Sequence, residues 1–60
     1  MDKMLRLNQK VQTPLGEGLI DCLPYNDETK VYGVWLDQPY LHNGMQLQLV
    51  MFDEKDLTAR

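Results

Sequence analysis

The stretch Thr13-Pro14-Leu15-Gly16-Glu17-Gly18 (TPLGEG, residues 13–18) decides the fold. It sets one of three prolines and two of four glycines within six positions of a 60-residue chain. A phosphate-cradling glycine loop runs longer, feeds a helix and commonly ends in lysine. Here Gly16-Glu17-Gly18 runs straight into Leu19 and Ile20, Glu17 would repel a phosphate, and no lysine follows. Pro14, with its φ fixed by the ring, suits the first corner of a turn. Gly16 suits the third position, where a positive φ is needed. Gly18 marks a bulge or a strongly bent strand, as small barrels require. The run is a hairpin corner, and strands are expected on both sides of it.

Upstream, residues 9–13 form a short strand closed by Pro14, which gives no amide hydrogen. Residues 1–8 (MDKMLRLN) place Met4, Leu5 and Leu7 among charges and form an arm or an edge strand. They are too few for a stable isolated helix. Downstream, residues 19–23 alternate, with Ile20 and Cys22 on the core face and Leu19, Asp21 and Leu23 on the other. Pro24 ends that run, and the polar stretch 25–29 is a loop. Residues 30–36 (KVYGVWL) are dense in β-branched and aromatic types. Tyr32, Val34 and Leu36 share one face; Val31, Gly33 and Trp35 share the other. Asp37-Gln38-Pro39 is expected to stop this strand, with a loop reaching to a turn at Gly44. Residues 45–51 alternate again, Met45, Leu47, Leu49 and Met51 against Gln46 and Gln48, and predict a half-buried strand. Phe52 and Leu57 are apolar plugs around an acidic 3₁₀ turn, followed by a last short strand. Four or five short strands without a helix predict an all-β small barrel over residues 9–60, whose closure would hide its edges.

Composition narrows the function classes. Hydrophobic residues at 43% and charged residues at 25% are ordinary globular usage, so an apolar core is expected. A chain of this length buries only about 60% of its unfolded surface. Cys22 is the single cysteine, which excludes an internal disulfide. Cys22 and His42 are too few for a zinc site, so neither metal nor cofactor is expected. No signal peptide or membrane span is read, and the start at Met1 with lone Cys22 suggests a native, cytoplasmic chain. A formal net charge of −3, with six scattered basic residues, disfavours direct nucleic-acid binding and favours a protein partner.

KVQTPLGEGLI (10–20) resembles the opening of SH3-like barrels, in which a Gly-x-Gly turn joins two strands. The C-terminal Tudor-like domain of bacterial superfamily-one DNA helicases opens in this way, and its later strand is similar to Val34-Trp35-Leu36-Asp37. GVWLDQPYLHNG (33–44) resembles the centre of a CAP-Gly domain at Gly33, Val34, Leu36, Asp37 and Pro39. Leu41 and His42 stand where that family carries glycine and lysine. Small SH3-like subunits that dock on large complexes share the same layout. These resemblances imply a fold; the activities such barrels carry are many.

Trp35 is the leading candidate for contact with a partner, since Val34 and Leu36 pointing inward would turn it outward. The alternative is burial of Trp35 under Met4, Leu5 and Leu7. Tyr25, Tyr40 and His42, read as loop residues flanking the same strand, could complete a groove with Trp35. Asp37, Asp53 and Glu54 would orient that groove against basic groups. His42 lacks a nucleophile or metal-ligand companion, and Cys22 is read as a buried, inert thiol. No catalytic constellation emerges, so the expected role is a non-catalytic interaction module. A nucleic-acid-associated factor and a structural homo-oligomer are the alternatives.

Overall fold

The computed structural model of the chain describes residues 5–26 and 28–60. Five strands, β1 (Lys10–Thr13), β2 (Gly16–Cys22), β3 (Val31–His42), β4 (Met45–Asp53) and β5 (Thr58–Ala59), form one antiparallel sheet. Their order is β4-β3-β2-β1-β5, and one 3₁₀ turn at Glu54–Asp56 precedes β5. The chain is all-β, as the sequence predicts, with the 3₁₀ turn and short last strand in the predicted places. No helix among the described residues is long and apolar enough to cross a membrane.

The β1–β2 corner is tighter than its glycines alone explain. Thr13 pairs with Gly16, leaving Pro14 and Leu15 as a two-residue connection. Gly16 therefore closes the hairpin instead of holding the third turn position, with φ at +120°. Thr13 is buried; its hydroxyl donates to the Gly16 carbonyl at 2.7 Å and accepts from the Leu15 amide at 3.0 Å. The side chain thus supplies hydrogen bonds that a two-residue turn leaves open.

Gly18 is not a bulge. It pairs regularly with Val11 and Leu36. A Cβ at Gly18 would lie 2.5 Å from the Trp35 carbonyl oxygen and 2.7 Å from Val34 Cγ1, so glycine lets β2 press against β3. The bulge in β2 comes later: Ile20 opposes Val34 while Cys22 opposes Gly33, which makes Asp21 the extra residue. An extra residue reverses the in-out alternation. Cys22, expected beside Ile20 in the core, is exposed for this reason.

β3 and β4 depart furthest from expectation. β3 does not end at Leu36 but continues to His42. Trp35 opposes Leu49 and Tyr40 opposes Leu47, so four residues of β3, 36–39, face Gln48 alone. Pro39, which cannot donate to a ladder, sits inside this break. The Gln48 side-chain amide donates to the Leu36 carbonyl at 2.9 Å and takes the place of a backbone bond there. Beyond the break the hairpin closes at Asn43-Gly44, with φ of +52° and +79°. Two positive values at the central positions are the type I′ geometry that matches strand twist. Tyr40 and His42, expected in a loop, are strand residues.

The same register corrects the face assigned to β4. Fully buried Val34 lies opposite Val50, so Val50 and Phe52 face the core. Met45, Leu47, Leu49 and Met51, read from the sequence as the buried set, occupy the opposite face.

The core gathers Leu5, Val11, Ile20, Tyr32, Val34, Leu36 and Leu57, with Leu15, Val50 and Phe52 packed against them. A single sheet has no second layer to cover this face, and Leu5, Leu15 and Leu57, from outside the strands, pack with the strand residues there. No ladder joins β4 to β5 among the described residues, so both stay edges of the sheet. The first part of the expected arm, including Met4, lies outside the described residues, as does Asp27. Leu5 is core and Leu7 is exposed, so Leu5 fills the interior instead of shielding Trp35. The Asn8 amide donates to the Ile20 carbonyl at 2.7 Å and the Ile20 amide to the Gln9 carbonyl at 3.0 Å, which ties residues 8 and 9 to β2.

Candidate functional site: the outer face of the sheet

The outer face is built by cross-strand pairing. Leu19, Trp35 and Leu49 stand directly opposite one another across β2, β3 and β4 and form one apolar row. Cys22, Gly33 and Met51 form the next. Gly33 contributes no side chain; a Cβ there would meet Cys22 Cβ at 3.0 Å and Met51 Sδ at 3.2 Å, so its neighbours close over it. On the other side, Tyr40 opposes Leu47 and His42 opposes Met45. The Tyr40 and His42 rings stack at 6.0 Å between centroids, inclined by 22°.

Directly opposed residues of an antiparallel pair share a face, and residues two apart along a strand are about 7 Å apart. The rows therefore join into one stripe running from Met51 to Met45. Trp35 is 47% exposed, Leu49 46% and Met51 56%, so water wets about half of each side chain. A contiguous apolar strip of this kind on a small domain is a candidate contact surface.

Charge borders the strip on one side. Lys10, in the row of Leu19, bonds the carboxylate of Asp37 and lies 3.8 Å from Glu17; Arg60 reaches Glu17 at 3.2 Å. Asp37, expected to meet a basic partner, is thus already paired within the chain. Glu54 is likewise engaged: its carboxylate accepts from the Tyr32 hydroxyl at 3.3 Å. Asp53 is exposed at the start of the 3₁₀ turn and makes no side-chain capping bond. Among the described residues no three His, Cys, Asp or Glu side chains gather to hold a metal.

The expected aromatic groove divides. Trp35, Tyr40 and His42 lie along the stripe. Tyr25 is 94% exposed in the connection before β3, at the strand end opposite Tyr40, and does not join them. The expectation that Tyr25 and Tyr40 flank one short strand fails because β3 is nearly twice as long as predicted. Leu49 and Met51 are residues of this face that alternation in the sequence assigns to the core side, whereas Leu19 lies on the outer side as expected. Asn43-Gly44 was the available signal for an extended hairpin. No protein-family model, curated protein or solved structure matches the chain.

Proposed function

We propose that the chain is a non-catalytic protein-interaction module, a small accessory or regulatory protein that docks on a larger assembly through its outer sheet face. The observation that carries this is the half-exposed row Leu19–Trp35–Leu49, continued by Met51 on one side and by Tyr40 and Leu47 on the other. Large apolar and aromatic side chains held on a rigid sheet lose little conformational freedom on binding, and tryptophan leads the residues that dominate interfaces. Lys10 and Arg60 are engaged with acidic side chains, which supports a protein partner over nucleic acid. The strand order and the 3₁₀ turn before the last strand are compatible with the SH3-like barrel that the corner sequence resembles. A reducing, cytoplasmic setting belongs to the same proposal.

Affinity capture from the source cell, with wild-type chain, Trp35→Ala and Tyr25→Ala as baits, tests it. Trp35→Ala is expected to weaken the captured complex by about 30-fold while its circular dichroism stays that of the wild type. Tyr25→Ala, off the stripe, is expected to bind as the wild type does. Equal binding by Trp35→Ala and the wild type would refute the proposal.

A further inference from the structure

Among the described residues β4 is the last strand on its side of the sheet, with β3 as its ladder partner. The two edges are protected very differently. β5 has two residues, Thr58 and Ala59, and Arg60 follows directly. β4 has nine, and residues 45–52 (MQLQLVMF) contain no charge, proline or glycine. The irregularity between β3 and β4 places its extra residues in β3, so β4 itself carries no bulge. Edge lysines, prolines, bulges and short length are the devices that keep sheet edges from pairing, and β4 lacks all four.

We infer that β4 pairs antiparallel with β4 of a second copy of this chain, about a two-fold axis at Leu49. Nine residues centred on Leu49 overlap completely in this register, giving a shared edge of roughly 30 Å. Leu49 meets its own copy and Leu47 meets the copy's Met51 on the outer face. On the inner face Gln48 meets the copy's Val50. The small size of the chain favours a copy as the occupant, and charge on the seam does not oppose one. Asp53 is the sole charge in β4 and would lie opposite Met45 at either end. The two carboxylates are then about 27 Å apart, well beyond the screening length in physiological salt. The seam therefore carries no like-charge contact, although each chain has a net charge of −3. Self-association also supplies what a chain of this length with one cysteine cannot obtain from an internal disulfide. The inference rests on the backbone edge of β4; Leu47, Leu49 and Met51 meet across the seam, but Trp35, Tyr40 and His42 on β3 stay open in the pair, so either proposal can fail without the other.

Sedimentation across a wide concentration range tests the association, with circular dichroism as the check on folding. The wild type is expected to pass from monomer to dimer. Leu49→Lys, which sets two ammonium groups on the axis, is expected to remain monomeric and folded. Trp35→Ala, one strand in from the edge, is expected to dimerise. Cross-linking fixes the register: in a Cys22→Ser background, Leu49→Cys is expected to oxidise to a disulfide dimer on the order of tenfold faster than Met45→Cys, because only self-opposed residues come within disulfide reach. A wild type that stays monomeric throughout overturns the inference and leaves the edge to a strand of another protein. Equal cross-linking at both positions, or dimers that survive Leu49→Lys, would also overturn it.

Discussion

At Tyr32 the fold grips an ionisable group. Burial raises its pKa above the ordinary 10.0, the neighbouring Glu54 carboxylate adds to the effect, and the hydroxyl's hydrogen bond to Glu54 adds further; the Leu5 backbone amide opposes them. All the raising influences favour the neutral phenol, which the folded chain therefore holds more tightly than the unfolded one. The stability this confers is fully present below the unfolded pKa of about 10 and is lost as pH rises through the higher folded value. Tyr32→Phe removes the hydroxyl and its bond, at a cost of about 1 kcal/mol near neutral pH. Urea unfolding of both proteins from pH 8 to 11 should show the wild type's advantage constant at first and shrinking above about pH 10. An advantage that persists unchanged to the alkaline end would contradict the placement of Tyr32. None of this was visible in the sequence beyond the inward face of Tyr32, because Glu54 lies 22 residues away and meets it only after β4 has turned back.

At the scale of the elements, the local signals were legible and the irregular ones were not. The corner at residues 13–18, the strand at 30–36 and the strand at 45–51 follow from turn chemistry and residue type. Asp21 and residues 36–39 break that regularity. One extra residue in β2 sends Cys22 outward, and the offset across Pro39 decides which face of β4 is buried. Strict alternation cannot report such a slip, since a shift of one residue exchanges the two faces. In the sequence Pro39 looks like a terminator; in the sheet it lies within the break at residues 36–39, where a missing donor costs little. Gly18 shows how closely the elements are fitted. Gly18→Ala would push a methyl group against the Trp35 carbonyl, which belongs to the backbone and cannot swing aside. The substitution is expected to cost about 1–3 kcal/mol or more, read as a lowered denaturation midpoint. A neutral result would mean that β2 and β3 do not approach as described.

Across the whole molecule, apolar side chains are divided between two faces of one sheet. The inner set, from Val11 through Leu57, closes on itself, whereas the outer set from Leu19 to Met51 stays in contact with water. The overall class and the outward direction of Trp35 could be read from the chain. The extent of the outer apolar face could not, since Leu49 and Met51 join it only through the β3–β4 offset. The division is what connects fold to proposed function, because substitutions on the outer face should change binding and those on the inner face should change stability. Trp35 and Leu36 are adjacent in the chain and lie on opposite sides, 47% and 1% exposed. Urea denaturation of Trp35→Ala and Leu36→Ala against the wild type is the most direct test. The structure predicts a loss within about 1 kcal/mol for Trp35→Ala, the scale of a cross-strand pair. It predicts about 2–5 kcal/mol for Leu36→Ala, the scale of a core truncation. A larger loss at Trp35 than at Leu36 would contradict it and place the tryptophan in the core.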